Sequence, residues 1–314
     1  INGSSKAIPG SPLVGNINIQ RFLSTYFNSE ISYDQRYTIN ISARKDGSNT
    51  FGLKTNDKWN PFWSAGAVWN ITKEKFFNIS SLTLLKLRST IGIGGSLDPA
   101  RTALPVSTSL SNTISNLPIR KISTLNNPSL RWEQTRQINI AVDFEAFNHR
   151  INGSIDYYFK KSTDLYGPSP LDYTTWGVSN AIVKNVASMR GRGLEISLIS
   201  QNLIKPVHWT SHVIFNYNVS KVADYFSPES ETIASFVGTG GTSVTPVKGK
   251  PLFAIAAFRW GGLNEKGDPQ GYFGGELTTD YQKIREQTVF DEGNHSSVYF
   301  IGSADPKIFG SFIN

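Results

Sequence analysis

The residues that could do chemistry in this chain are few and can be taken one group at a time. Asp143 and Asp156, or Asp164 and Asp172, are carboxylate pairs of the kind that divides acid and nucleophile duties in glycoside cleavage. Carboxylates at alternate strand positions facing water are the simpler reading of both. Four histidines, His149, His208, His212 and His295, are the candidates for imidazole acid–base or metal chemistry, but no two share a ligand spacing on one face. Gly191-Arg192-Gly193 and Gly238-Thr239-Gly240-Gly241 are glycine-rich. Neither opens a helix, so neither offers the N–H groups of a phosphate cradle. With no cysteine, thiolate metal sites, disulfides and cysteine nucleophiles are closed. No catalytic residue, metal or cofactor is therefore expected. What remains is contact chemistry: Asp172, Tyr173 and Trp176 share a polar stretch and could stack on, or hydrogen-bond to, a sugar or peptide. Docking against a partner or neighbouring loops explains them as well.

The elements that must position these residues read as strands. From Gln137 to Phe144 the residues Ile138, Ile140, Val142 and Phe144 alternate with Gln137, Asn139, Ala141 and Asp143. After a polar turn at Asn148, His149 and Arg150, Ile151, Ile155, Tyr157 and Phe159 continue against Asn152, Ser154, Asp156 and Lys160, which predicts a hairpin. Similar runs cover Tyr37 to Arg44, Trp63 to Ile71, Leu85 to Ile91, Leu194 to Leu198 and Trp209 to Asn218. In these runs the ionisable residues fall on the polar phase. A strand between hydrocarbon and water requires this, because a charge facing lipid at mid-depth costs about 2–4 kcal/mol. A half-buried strand of a soluble sandwich would look nearly the same.

Composition agrees with an all-β chain: 12% of its 314 residues are aromatic, and turn-forming residues are plentiful. No run approaches the roughly 20 apolar residues of a membrane-spanning helix, which leaves strands as the only spanning element. The net charge of +7 is scattered rather than gathered into basic runs, so no nucleic-acid partner is expected. The chain opens at Ile1 without a start methionine or signal peptide, and a segment of a longer protein is expected.

Connection lengths separate the alternatives. Short links at 33–36, 73–80, 148–150 and 201–207 alternate with long ones at about 45–62, 93–133, 163–192 and 221–251. In an up-and-down antiparallel barrel this gathers the long loops on one rim and the tight turns on the other, the habit of outer-membrane barrels. A Greek-key sandwich has no reason to do so. From 261 to 296 the alternation fails, and a further long loop is expected, with a strand near Val298 to Ile301. Aromatics flank the tight turns: Tyr33 and Tyr37, Phe76 and Phe77, Phe144 and Phe147. Rings at a lipid interface and ordinary packing beside turns explain them equally.

Several segments, in order, resemble the SusC/RagA family of TonB-linked outer-membrane transporters. The strongest is Asn127-Pro128-Ser129-Leu130-Arg131-Trp132-Glu133, which runs into the hairpin strand. Asp156-Tyr157-Tyr158-Phe159-Lys160-Lys161-Ser162-Thr163-Asp164-Leu165 follows at the family's spacing, and Gly193-Leu194-Glu195 is similar to a later strand motif. Weaker likenesses lie at Arg44 to Ser48 with Phe51-Gly52, Leu85 to Arg88, Gly249 to Leu252 and Gly302 to Gly310. The chain departs from the pattern at Asn60-Pro61-Phe62, where a Phe-Pro-Ser step is usual, and at Arg190, where Asn is usual.

The resemblance implies residues 1–314 as part of an antiparallel transmembrane β-barrel of about 22 strands, with a plug domain and the last strands outside this chain. It implies import of large nutrients, glycans or peptides, with a SusD-like surface lipoprotein as lid and energy from TonB, acting through a segment N-terminal to this one. The setting would be the outer membrane of a Bacteroidetes-type bacterium, with lipid around the wall, long loops extracellular and short turns periplasmic. Two alternatives stand: a barrel that serves as scaffold beside other outer-membrane subunits of an assembly or secretion complex, and a soluble carbohydrate-binding β-sandwich.

Overall fold

The structure, a computed structural model, describes residues 19, 21–49, 59–99, 101–170, 174, 181–225, 232–235, 237, 246–287 and 296–314. The strands in chain order are β1 (Phe22–Tyr33), β2 (Tyr37–Ser48), β3 (Trp59–Asn70), β4 (Leu82–Ser96), β5 (Val106–Ser111), β6 (Pro118–Thr124), β7 (Glu133–Ala146) and β8 (Ile151–Pro170). They continue with β9 (Ala181–Leu203), β10 (Trp209–Tyr225), β11 (Ala254–Phe258), β12 (Gly271–Phe273), β13 (Glu276–Thr278), β14 (Val298–Ser303) and β15 (Ile308–Ile313). A short helix, α1 (Tyr281–Glu286), precedes β14. Among the described residues, nine strands form one sheet in the order β1-β2-β3-β4-β7-β8-β9-β10-β15, every pairing antiparallel. The sheet is open, with β1 and β15 at its edges.

Register explains why the strands pair as they do. Partnered residues lie on the same face of a sheet, and the pairings bring one phase of every strand together. Ile39 stands opposite Ile31 and Ala67, Leu87 opposite Trp69 and Val142, and Ile155 opposite Val142 and Ile196, which in turn meets Phe215. The other phase gathers Asn28, Asn40, Ser42, Thr90, Asn139, Asp156, Glu195 and Asn216. A slip of one residue would turn each strand's apolar set over, so the pattern holds the register.

The apolar face is bare. Phe27, Ile31, Ile39, Ile41, Ile140, Ile155, Phe159 and Phe312 are all exposed. A continuous patch of this kind marks a surface that meets lipid or protein rather than water. No second sheet packs on it among the described residues, so the sandwich alternative is not the fold. Nor is any described helix long and apolar enough to cross a membrane.

Two buried apolar clusters lie where connections fold back over the sheet's end. Ala103 and Leu130 pack with Leu97, Tyr166 and Val183, and Ile233, Ala256 and Val298 pack with Val247, Phe258 and Phe300. Tight turns close the opposite end: among the three residues between paired Tyr33 and Tyr37, Asp34 and Gln35 both take positive φ and the Arg36 N–H donates to the Tyr33 carbonyl at 3.0 Å.

The long connections differ from expectation in extent. β8 runs to Pro170 and β9 starts at Ala181, shortening the link expected over 163–192. Bulges around Ser162 and Leu165 shift the phase there, which erases the alternation that marks a strand. The link expected over 93–133 contains the β5–β6 hairpin, and that over 261–296 contains β12, β13 and α1. The links over 45–62 and 221–251 narrow because β2 reaches Ser48, β3 starts at Trp59 and β10 reaches Tyr225.

Candidate functional site

The polar face of the sheet and the packed connections at its long-loop end carry the chemistry. On that face Arg88 of β4 reaches over β7 to β8. Its Nε donates to Asp143 Oδ2 at 2.6 Å, and one Nη donates to Asp143 Oδ1 at 2.9 Å and to Asp156 Oδ1 at 3.3 Å. Asn139 Nδ2 donates to the same Asp156 oxygen at 3.5 Å. The carboxylates considered as an acid–base pair are therefore held by one guanidinium, each as an acceptor. Such a fork stiffens three adjacent strands. Glu195 stands opposite Asp156 across the β8–β9 pairing and continues the polar stripe toward Asn216.

Further along this face Tyr158 is buried over Gly193. A Cβ at Gly193 would lie 2.5 Å from the tyrosine ring and 2.7 Å from the Tyr217 carbonyl oxygen. The residue is glycine because ring and backbone leave no room. The Lys160 ammonium sits 4.6 Å from the centre of the Tyr158 ring, so the strand's own aromatic covers its cation.

The segment from Asn127 to Glu133 is a loop anchor. Buried Asn127 donates from Nδ2 to the Val183 carbonyl at 2.7 Å and accepts at Oδ1 from the Ser129 hydroxyl at 2.7 Å and the Ser129 N–H at 3.2 Å. Pro128, with no N–H to satisfy, sits inside this turn. Leu130 fills the small apolar cluster with Ala103, and Trp132 packs on Phe62 with ring centres 5.8 Å apart. Glu133 Oε1 accepts from the Tyr166 N–H at 2.9 Å. Arg131 forms an ion pair with Asp164, whose backbone is left-handed at φ 60°. Asn185 Nδ2 donates to both the Arg131 and Asp164 carbonyls, at 2.8 and 2.5 Å. These contacts tie the long connection before β7 to the outer ends of β8 and β9.

The remaining motif residues are strand residues. Tyr157 stands on the apolar face with its ring edge-on to Phe159, 4.9 Å between centres, and Thr163 pairs with Gln134. Lys161 pairs with Arg136, and Leu165 resumes the pairing after the bulge. Asp172, Tyr173 and Trp176 lie outside the described residues, as do His295, Phe51, Gly52 and the glycines at 238–241. Among the described residues no three His, Asp or Glu side chains gather as metal ligands. His149 Nδ1 is 2.6 Å from Glu145 Oε2 in its turn, and His212 Nε2 is 3.1 Å from the Ser197 hydroxyl.

Sequence reading missed Arg88 and Asn185 as organisers. Arg88 stands on the polar phase, as do Asp143 and Asp156, so the clamp could have been found once β4 was paired with β7. That pairing crosses the long link expected over 93–133. Asn185 lay inside an expected loop and carried no signal.

At the tight-turn end, Glu74 accepts hydrogen bonds from the Tyr37 hydroxyl at 2.5 Å, the Trp69 indole at 3.0 Å and Arg36 at 3.4 Å. These donors, Tyr37 first and Trp69 next, hold its carboxyl below the usual carboxylate range. The cluster binds the β1–β2 turn to the connection after β3.

The comparisons fit this architecture. The family described as TonB dependent receptor-like, beta-barrel matches residues 2–303. TonB-dependent receptor P3 of Formosa agariphila is 27% identical over 304 residues, covering 94% of this chain and 29% of the relative. TonB-dependent receptor SusC of Bacteroides thetaiotaomicron is 28% identical over 232 residues, covering 68% of this chain and 23% of the relative. The chain thus spans under a third of the curated relatives it matches. The RagAB peptide transporter superposes with a TM-score of 0.75 at 22% identity, over 93% of this chain and 31% of the other. At this identity the likeness establishes fold.

Proposed function

Because the chain belongs to the TonB-dependent receptor-like β-barrel family of the bacterial outer membrane, we propose that it is wall and outer loops of an active importer of large nutrients. In this reading the bare apolar face meets hydrocarbon and the polar face lines the lumen. The long connections stand outside the cell and the tight turns in the periplasm. The single observation that carries it is the register: nine strands place one phase on a continuous apolar surface and the other on a hydrogen-bonding surface. A spanning wall needs both.

A SusD-like lipoprotein would close the mouth from outside, and TonB would supply energy through a segment other than this one. A relative named SusC and the fold of a peptide importer support this reading. The lumen stripe of asparagines, serines and charged groups suits a cargo rich in hydrogen-bonding groups, a glycan or peptide. Asp172, Tyr173 and Trp176 are assigned to contact with cargo or lid.

Uptake of labelled peptides and oligosaccharides by cells with and without the intact gene tests the proposal, with recovery of co-purifying lipoproteins. TonB-dependent uptake of either class supports import. Unchanged uptake of both, with secretion or assembly subunits co-purifying, would favour the scaffold role.

A further inference from the structure

The lipid-facing side of the wall carries one row that contradicts its own pattern. Arg136 of β7 stands opposite Lys161 of β8, Lys161 opposite Arg190 of β9, and Arg190 opposite Lys221 of β10. All four share the face of Ile138, Ile140, Ile155 and Phe215, and all four are exposed. Arg192, also exposed, stands on the same face between Phe159 and Val219. The row lies at the long-loop end of the apolar surface and spans about 14 Å across four strands.

Like charges directly opposite one another across a strand pair destabilise it. On the polar face the arginines have carboxylate partners of this kind: Arg88 binds Asp143 and Asp156, and Arg44 binds Asp46 at 2.7 Å. On the apolar face no described carboxylate lies within ion-pair distance of Arg136, Lys161, Arg190, Arg192 or Lys221. The one acid close by, Asp224, is bonded to Lys248 at 2.9 Å and also feels the charge of Arg190, which leaves one carboxylate against the row's cations and Lys248. The row also borders a cleft of about 560 Å³, lined by Arg190, Arg192, Lys221, Lys248 and Asp224 together with the apolar Phe159 and Val219.

We propose that this row and cleft bind the phosphate-bearing headgroup of an outer-leaflet lipid, with its acyl portion against Phe159 and the apolar face below. Charge complementarity chooses an anion, and the adjoining apolar surface chooses a lipid over a soluble anion or an acidic protein. The assignment rests on the orientation proposed above, which sets the row at the outer leaflet. A bound phosphate would relieve the repulsion along the row and fix β7 to β10 at the height of the membrane surface.

The test uses the complete protein, extracted from outer membranes in mild detergent. Native mass spectrometry measures binding of bisphosphorylated lipid A, its dephosphorylated counterpart and inorganic phosphate. The comparison is between wild type, the combined Lys161→Gln, Arg190→Gln and Lys221→Gln variant, and a Lys160→Gln control on the polar face. The combined variant should lose about 100-fold in affinity for the phosphorylated lipid and each single change about fivefold. The Lys160→Gln control should bind as wild type does. The single changes keep the test open if the combined variant does not fold. Equal binding of phosphorylated and dephosphorylated lipid, phosphate alone binding as tightly as the lipid, or no effect of the row's variants would each overturn the proposal. Recovery of the protein in the soluble fraction would instead overturn the barrel reading beneath it.

Discussion

Arg88 on β4 and Asp143 on β7 are joined by two hydrogen bonds, 2.6 and 2.9 Å long, across a strand pair whose members are separated in sequence by the longest connection before the hairpin. The same guanidinium reaches Asp156. Arg88→Met should leave two partly shielded carboxylates without their cation and destabilise the wall by about 1–2 kcal/mol, solvent screening included. Adding Asp143→Asn and Asp156→Asn should restore most of the loss. Unfolding of the three proteins in detergent, followed by circular dichroism, measures both effects.

Gly193→Ala should cost about 1–3 kcal/mol, because the new methyl meets the Tyr158 ring and the Tyr217 carbonyl at once. Combining it with Tyr158→Ala removes only the ring, so partial recovery is expected in the same unfolding assay. Full recovery would show that the backbone yields.

Asn127→Ala removes acceptor and donor from the loop anchor, leaving the Val183 carbonyl and the Ser129 N–H unpaired. Amide exchange should rise about tenfold or more around residues 97–131 and stay unchanged in the β8–β9 pairing below the bulge. Equal acceleration throughout the sheet would mean that the anchor supports the wall as well as the loop.

Glu74 gives the tight-turn end a pH dependence. Its carboxyl titrates below its ordinary value of 4.5 in the folded protein, chiefly through the Tyr37 and Trp69 hydrogen bonds. A depressed folded value means the unfolded state binds the proton more readily. The stabilisation is therefore present above the ordinary value and is lost as pH falls through the folded one. Acidification below about 4.5 should loosen the turn, with a change in Trp69 fluorescence that Glu74→Gln abolishes.

Trp176→Ala and Tyr173→Ala should weaken cargo or lid binding by about three- to tenfold if a ring stacks on the partner, and Asp172→Asn should do so through a lost acceptor. Titration of the purified protein with peptide, oligosaccharide and lipoprotein distinguishes the partners. No change with any of them would remove these residues from the site.

The spanning part of the wall was legible because each strand between two solvents must alternate. Ile138 to Phe144 and Ile151 to Phe159 announced both a hairpin and its turn. Beyond the apolar band the requirement lapses. The long-loop ends of β8 and β9 have a bulge at Ser162 to Leu165 and no constant apolar phase, so the stretches to Pro170 and from Ala181 carry no strand signal in the sequence. The β5–β6 hairpin is similarly exposed on both sides and shows little alternation. The order of the motifs pointed to a family, but the work of Asn127, Arg131 and Asp164 depends on partners such as Asn185, more than fifty positions from Arg131. Spacing along the chain cannot reveal a contact of that range.

The strict pairing of phase with face also sets what inherited change this wall will bear. Exchanging one aliphatic residue for another at Ile138, Ile140 or Val142 keeps the apolar side apolar, so many spellings serve. Adding or losing a single residue inside β7 would carry every later side chain of that strand to the wrong solvent. Register shifts at Ser162 to Leu165 and Val222 to Asp224 toward the long loops, and at Leu82 to Leu84 and Trp209 to Thr210 beside the tight turns, are places where such a slip is already absorbed. Variation in length therefore belongs outside these shifts, at the two rims of the sheet, while variation in letters is free to accumulate between them.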